Sequence, residues 1–238
     1  MHKVKLEKLE GLKLFRENGI PVLSFEILSK NSFEEQIKKF MAELGVDKFM
    51  IRTDGKGRFT PSINFATLSE HVEQIKDFLN KDFTVFIMHP SQIFRNFHSL
   101  NVMKEDAEII VEVVGPGFMA TDLCRHGNIH EEIIIDANNY KVISRHILAA
   151  PVKYKKEIEI KIKALGMSVL EENRSYLLEY AEYPPLDDKA LDYVKGILPK
   201  LEIVSKHLSS EKYVASMSFV DLGDGSNQPI FWDIYGIR

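Results

Sequence analysis

Apolar residues recur along this chain at two spacings, and the spacing assigns each stretch to helix or strand. Leu6, Leu9, Leu12 and Phe15 fall three residues apart, which predicts one buried face of a helix ending at Asn18-Gly19. Ile20-Pro21 forces an extended exit into a short strand over 22–27. Ser32 with Glu35 has the spacing of a capping box, and Phe33, Ile37, Phe40, Met41 and Leu44 continue it as an apolar stripe stopped by Gly45. KFMIRT over 48–53 predicts a strand, and DGKG over 54–57 a turn. Thr67 with Glu70 repeats the capping pattern before a helix buried at Val72, Ile75 and Leu79, and 83–88 reads as the next strand. This alternation predicts helices packed against a sheet.

The middle of the chain changes period. EIIVEVVG, FMATDLCRHG, EEIIID and YKVISRHIL read as strands separated by Gly115-Pro116-Gly117, Gly127-Asn128 and Asn138-Asn139, an antiparallel meander. The Gly-Pro-Gly is either a plain strand connection or the junction between a smaller lobe, 1–114, and a larger one, 115–238. Helical spacing returns from 153 to 207, broken at Gly166 and at Tyr183-Pro184-Pro185, and Pro199 is expected to kink or divide the last helix. The final segment reads as a hairpin around a turn rich in Gly, Asp and Asn. The expected fold class is α+β, with antiparallel sheets and packed helices.

Composition narrows the function classes. Lys and Arg number 31 against 35 Asp and Glu, so the net charge of −4 gives no overall attraction to nucleic acid or to an anionic membrane. The lysines at 153, 155, 156, 161 and 163 alternate with Glu157 and Glu159, as on a solvated helix face. Cys124 stands alone, which excludes an intrachain disulfide and a multi-cysteine metal site. The charged N-terminus lacks the apolar core of a signal peptide, so a cytoplasmic location is expected.

IRTDGKGR over 51–58 is the most suggestive string for chemistry. Glycines free backbone N–H groups to wrap phosphate oxygens, while Arg52, Lys56 and Arg58 supply charge-assisted hydrogen bonds. The same string also reads as an exposed loop with ordinary surface charges. Neither GxxxxGK followed by Ser or Thr nor GxGxxG is present. Arg52 occupies the lysine position of a Lys-x-Asp-Gly nucleophile, and a guanidinium that stays protonated forms no lysyl-nucleotide adduct. Asp221 and Asp233, on the two strands of the closing hairpin, could converge on Mg²⁺ or serve as solvated strand-end residues, with Asp224 in the turn. His126, His130 and His146 make no zinc spacing, and Cys124 beside His126 reads as inert packing.

Taken in order, these pieces resemble the ATP-grasp superfamily across nearly the whole chain. GLKLFRENGIPVLSF is similar to the family's opening helix and turn into a strand, and KFMIRTDGKGR to the strand and glycine loop that meet the phosphates. EIIVEVVGPG is similar to the strand and hinge that hold adenine, and IFWDIYG to the metal-binding strand. The resemblance implies a two-lobed fold that binds ATP and Mg²⁺ and ligates a small-molecule carboxylate to an amine or thiol through an acyl phosphate. It implies that Arg52 contacts phosphate, Lys56 and Arg58 lie on the covering loop, Glu112 to Val114 meet adenine, and Asp122 approaches the ribose. Arg145 would steady the transferred phosphoryl group, and Asp233 would hold magnesium. The family's second acid is Ser218 here, in Met217-Ser218-Phe219, so Asp221 replaces it only with a shift of hairpin register. Tyr235 stands where the family has Asn. These departures fit a catalytically silent member equally, acting as a binding or assembly subunit with a partner subunit or in a homo-oligomer. An unrelated α+β protein, with Arg52 and Asp233 on its surface, is the third reading.

Overall fold

The computed structural model describes residues 3–5, 8–55, 61–81, 83–90, 96–118, 129–149, 155–160, 182–221 and 226–237. The chain forms two compact units. One comprises Met1–Leu6, Gly11–Val22 and Gln92–Arg238, the other Glu7–Glu10 and Leu23–Ser91. The chain passes between the units at 6/7, 10/11, 22/23 and 91/92, so residues 92–114 belong to the larger unit and not, as expected, to the smaller. The Gly115-Pro116-Gly117 segment lies inside the larger unit, because the strands on both sides of it pair into one sheet.

The smaller unit is a four-stranded antiparallel sheet. Its strands are β2 (Phe25–Ile27), β3 (Phe49–Asp54), β4 (Ser62–Ala66) and β5 (Thr84–Met88), in the order β2-β5-β3-β4. Helices α2 (Phe33–Leu44) and α3 (Leu68–Asn80) cover one face. Phe33, Ile37 and Phe40 from α2 and Ile75 and Phe78 from α3 bury against Phe49, Ile51, Val85 and Ile87. The capping boxes do not close. Neither Ser32 nor Thr67 caps its helix through the side chain; Ser32 Oγ pairs with Ser29 Oγ at 2.6 Å, and Thr67 donates to Glu70. Both helices form regardless, held by their apolar faces rather than by the caps.

The larger unit contains a seven-stranded antiparallel sheet, in the order β1-β11-β10-β6-β7-β8-β9. The strands are β1 (Lys3–Lys5), β6 (Asn96–Lys104), β7 (Glu108–Val114), β8 (Glu131–Asp136), β9 (Val142–Ile147), β10 (Lys212–Asp221) and β11 (Asn227–Ile237). α1 (Lys8–Glu17) begins the chain's helical set, residues 155–160 form α4, and α5 spans Asp188–Lys206. Leu191, Val194, Leu198, Leu201 and Val204 of α5 pack on Val102, Val111, Ile133, Ala215 and Phe231. α5 is continuous through Pro199, so the proline does not divide it. The apolar face on either side of the proline stays buried, which holds the two halves of the helix to the same sheet. No described helix is long and apolar enough to cross a membrane.

Candidate functional site

In the smaller unit, β3 carries Arg52 at mid-strand, opposite Ser62 on β4 and Phe86 on β5. Ile51 and Phe49 point to the helices, so alternation turns Arg52 to the other face together with Met50, Phe86 and Met88. Its Nη2 lies 3.7 Å from Met50 Sδ, and burial presses the guanidinium pKa down from its ordinary value. Residues 51–54 of the IRTDGKGR string are the end of β3, and the connection to β4 follows them. Thr53 Oγ1 donates to the Pro61 carbonyl at 2.6 Å, drawing the ends of that connection together. Asp54 serves the fold: its Oδ2 accepts from the Leu9 N–H at 2.7 Å in the first turn of α1. Lys56 and Arg58 lie outside the described residues, as does Asp122.

In the larger unit, the face turned away from α5 carries a polar row. Register pairs Asp233 with Ser216, Ser216 with Asn101, Asn101 with Glu112, and Glu112 with Glu132. Three interstrand steps separate Asp233 from Glu112, about 14 Å at the usual strand spacing. Ser216 Oγ donates to Asn101 Oδ1 at 2.8 Å, and Asn101 bonds the Glu112 carboxylate. Burial raises the Glu112 pKa above the ordinary carboxylate range; the Asn101 hydrogen bond opposes this, and the like charge of Glu132 adds to it. A second row runs alongside. Ser218 Oγ pairs with Ser99 Oγ at 2.7 Å and accepts from Trp232 Nε1 at 2.8 Å.

A bulge aims Asp233 into this row. Register shifts between Ser216 and Met217, so Phe231 and Ile234, three residues apart, both face the core, while Trp232 and Asp233 share the opposite face. The shift does not bring Asp221 to Asp233. Asp221 pairs with Asn227 at the turn end of the hairpin, five residues along β10 from the position opposite Asp233, about 17 Å away at the rise of a strand. The two acids therefore do not converge on one ion. Among the described residues no group of three His, Cys, Asp or Glu side chains could hold a metal.

Glu112 and Val113 lie in β7 within ladders to both β6 and β8, and Val114 pairs with Ser99 of β6. Only the side chains of Glu112 and Val114 project onto the polar face. Arg145 lies on the α5 face, opposite Ile133. Its Nε donates to Glu131 Oε1 at 2.5 Å, its Nη2 to the Leu186 carbonyl, and Asp188 lies 3.7 Å from Nη1. Glu131 is fully buried and also accepts from Tyr183 OH at 2.6 Å and from the Leu186 N–H at 3.0 Å. His130, just before β8, accepts the Gly115 N–H at Nδ1, which leaves Nε2 to donate to Glu157 at 2.8 Å. A cavity of about 370 Å³ near the Lys104 end of β6 includes none of the residues singled out from the sequence, and Lys104 and Lys212 there bind Glu202 and Asp106.

Sequence reading passed over Asn101, Ser99, Ser216, Glu131 and Tyr183. Asn101 and Ser99 lie on a strand with no run of β-branched residues to announce it. Glu131 opens a strand whose apolar residues were evident, and only the pairing with β9 shows that it faces inward.

No protein-family model and no curated protein matches the sequence. Solved structures align over nearly the whole chain. ACD1 of Ca. Korarchaeum cryptofilum, in complex with coenzyme A, matches with TM-score 0.51 and 11% identity over 97% of this chain and 92% of that one. PH1788 from Pyrococcus horikoshii Ot3 matches with TM-score 0.50 and 11% identity over 98% and 91%. The ATP-grasp ligase PsnB, complexed with a phosphomimetic precursor variant, Mg and ADP, gives TM-score 0.40 and 11% identity over 95% and 48%. The chain spans about half the length of several of the enzymes it matches. At these identities the likeness is one of fold.

Proposed function

We propose, on the resemblance of its ordered motifs to the ATP-grasp superfamily, that this chain binds ATP with magnesium and acts as an ATP-dependent ligase. In this reading a small-molecule carboxylate is activated as an acyl phosphate, then attacked by an amine or a thiol with release of phosphate. The observation that carries the reading is the bulge in β11, which turns Asp233 onto a half-buried polar row that also bears Ser216, Asn101 and Glu112. Asp233 faces the neutral Ser216 across its strand pair, with Glu112 three interstrand steps away, an arrangement that suits magnesium only when phosphate oxygens complete the coordination. When bound, the metal would offset phosphate charge. Arg52, with Lys56 and Arg58 on the following loop, would bind phosphate oxygens. Glu112 would meet the nucleotide through its side chain, since its backbone is paired. Arg145 is left out of the reacting set because Glu131, Leu186 and Asp188 already take its guanidinium.

Equilibrium dialysis with Mg-ATP tests the binding step. The expected result is saturable binding weakened at least about tenfold in both Asp233→Asn and Arg52→Met. No binding at millimolar nucleotide would overturn the reading. ADP release should then be screened against carboxylates paired with amines or with thiols. Coenzyme A belongs among the thiols because it was bound by ACD1.

The silent alternative draws on Ser218. Where a second acid would sit, this hydroxyl is engaged by Ser99 and Trp232. Nucleotide binding without substrate-dependent ADP release would favour that alternative over the ligase.

A further inference from the structure

The seven-stranded sheet ends at β9, and among the described residues no strand pairs with its outer side. That edge is apolar: Val142 is 41% exposed, Ile143 57%, Ile147 50% and Leu148 51%. Exposed edges are usually blunted by charge, proline or cover. Here a bulge at Ile143 is the interruption, and the strand exposes large aliphatic side chains at both ends.

The backbone is set for pairing. The Leu148 N–H donates inward to the His130 carbonyl at 2.8 Å. Antiparallel alternation then places the peptide groups of Ile147 and Arg145 outward, toward an added strand.

Polarity along the edge reads the same in both directions. Val142-Ile143-Ser144-Arg145-His146-Ile147-Leu148 runs apolar, apolar, polar, cationic, polar, apolar, apolar. Laid antiparallel on itself about Arg145, Ile143 meets Ile147 of a second copy, Val142 meets Leu148, and Ser144 meets His146. A twofold contact requires one patch to complement itself in this way. The axis would set Arg145 against its own copy, and like charges directly opposite are unfavourable. Each guanidinium, however, is already bonded to the buried Glu131 carboxylate of its own chain, so the charge at the axis is compensated before the copies meet.

We infer that β9 is a homodimer edge, and that its partner is β9 of a second copy of this chain in antiparallel register about Arg145. Sedimentation equilibrium of the full chain reads this without reference to nucleotide, so its outcome is separate from the ligase reading. The expected result is a concentration-dependent mass of two chains. Ile143→Lys and Ile147→Lys, each at an exposed position, should weaken dimerisation at least about tenfold while leaving the far-UV circular dichroism unchanged. A chain that stays monomeric at its highest soluble concentration would overturn the proposal. So would open-ended assembly, or a dimer that persists in both folded variants.

Discussion

Each sheet buries one face under helices, yet the second faces are built on opposite terms. In the smaller unit it is apolar: Phe25, Met50, Phe86 and Met88 are buried, and the stem of Arg52 lies among them. In the larger unit it is hydrogen-bonded, with Ser99, Asn101 and Ser218 as buried as core aliphatics. A hydroxyl or amide tolerates burial because it has a partner, so each depends on its neighbour. A guanidinium on a long stem adds, to whatever its head bonds, contact along the chain of methylenes. Polar chemistry inside a sheet can thus be held either by mutual bonding or by packing, and the two should fail differently.

The largest effect should come from Glu131, where the larger unit's bonding is most concentrated. Glu131→Ala removes the acceptor for Arg145, Tyr183 and the Leu186 N–H. Urea unfolding is expected to show a loss of about 3 kcal/mol or more; a loss under about 1 kcal/mol would show that mutual bonding does not hold the larger unit's buried polar groups, since a buried acceptor of charged donors carries more than that. Ser218→Ala should come next. It strips Trp232 Nε1 and the Ser99 hydroxyl of a partner, at about 1–2 kcal/mol in the same measurement. Arg52→Met, of similar length, keeps the packing of the stem and should change stability by less than about 1 kcal/mol. If it costs as much as Ser218→Ala, packing does not hold Arg52.

The smallest effect is in pH dependence. Burial raises the Glu112 pKa, so the folded chain holds that proton more firmly than the unfolded chain does. The stability it contributes is fully present below the ordinary carboxylate value and is lost as pH rises through the raised one. Glu112→Gln should flatten the fall in urea midpoint across this range. An unchanged slope would assign the dependence to other groups.

Helices α2 and α3, strands β3, β5, β7 and β8, and the closing hairpin were legible in the sequence, because each has one apolar face at the period of its element. Strand β6 was not. It lies at the centre of the larger sheet, yet His98, Ser99 and Asn101 break any apolar run, and their burial depends on partners far away in sequence. The order of motifs led to the fold, and to Arg52 and Asp233 as residues on separate units. It could not place the bulge, because a register shift follows from tertiary packing rather than local spacing. For the same reason it could not show that Asp221 lies far along the hairpin or that Arg145 is bound by Glu131.

The bulge leaves an optical consequence. Without Trp232 the run Phe231, Asp233, Ile234 would still alternate in, out, in, so the indole is an insertion that the strand's facing does not require. It is also the chain's single tryptophan, and its Nε1 is bonded to Ser218 on the polar face. Tryptophan emission, excited selectively over tyrosine, therefore arises from one known place, and its change on adding a ligand would report events beside Asp233 without any label.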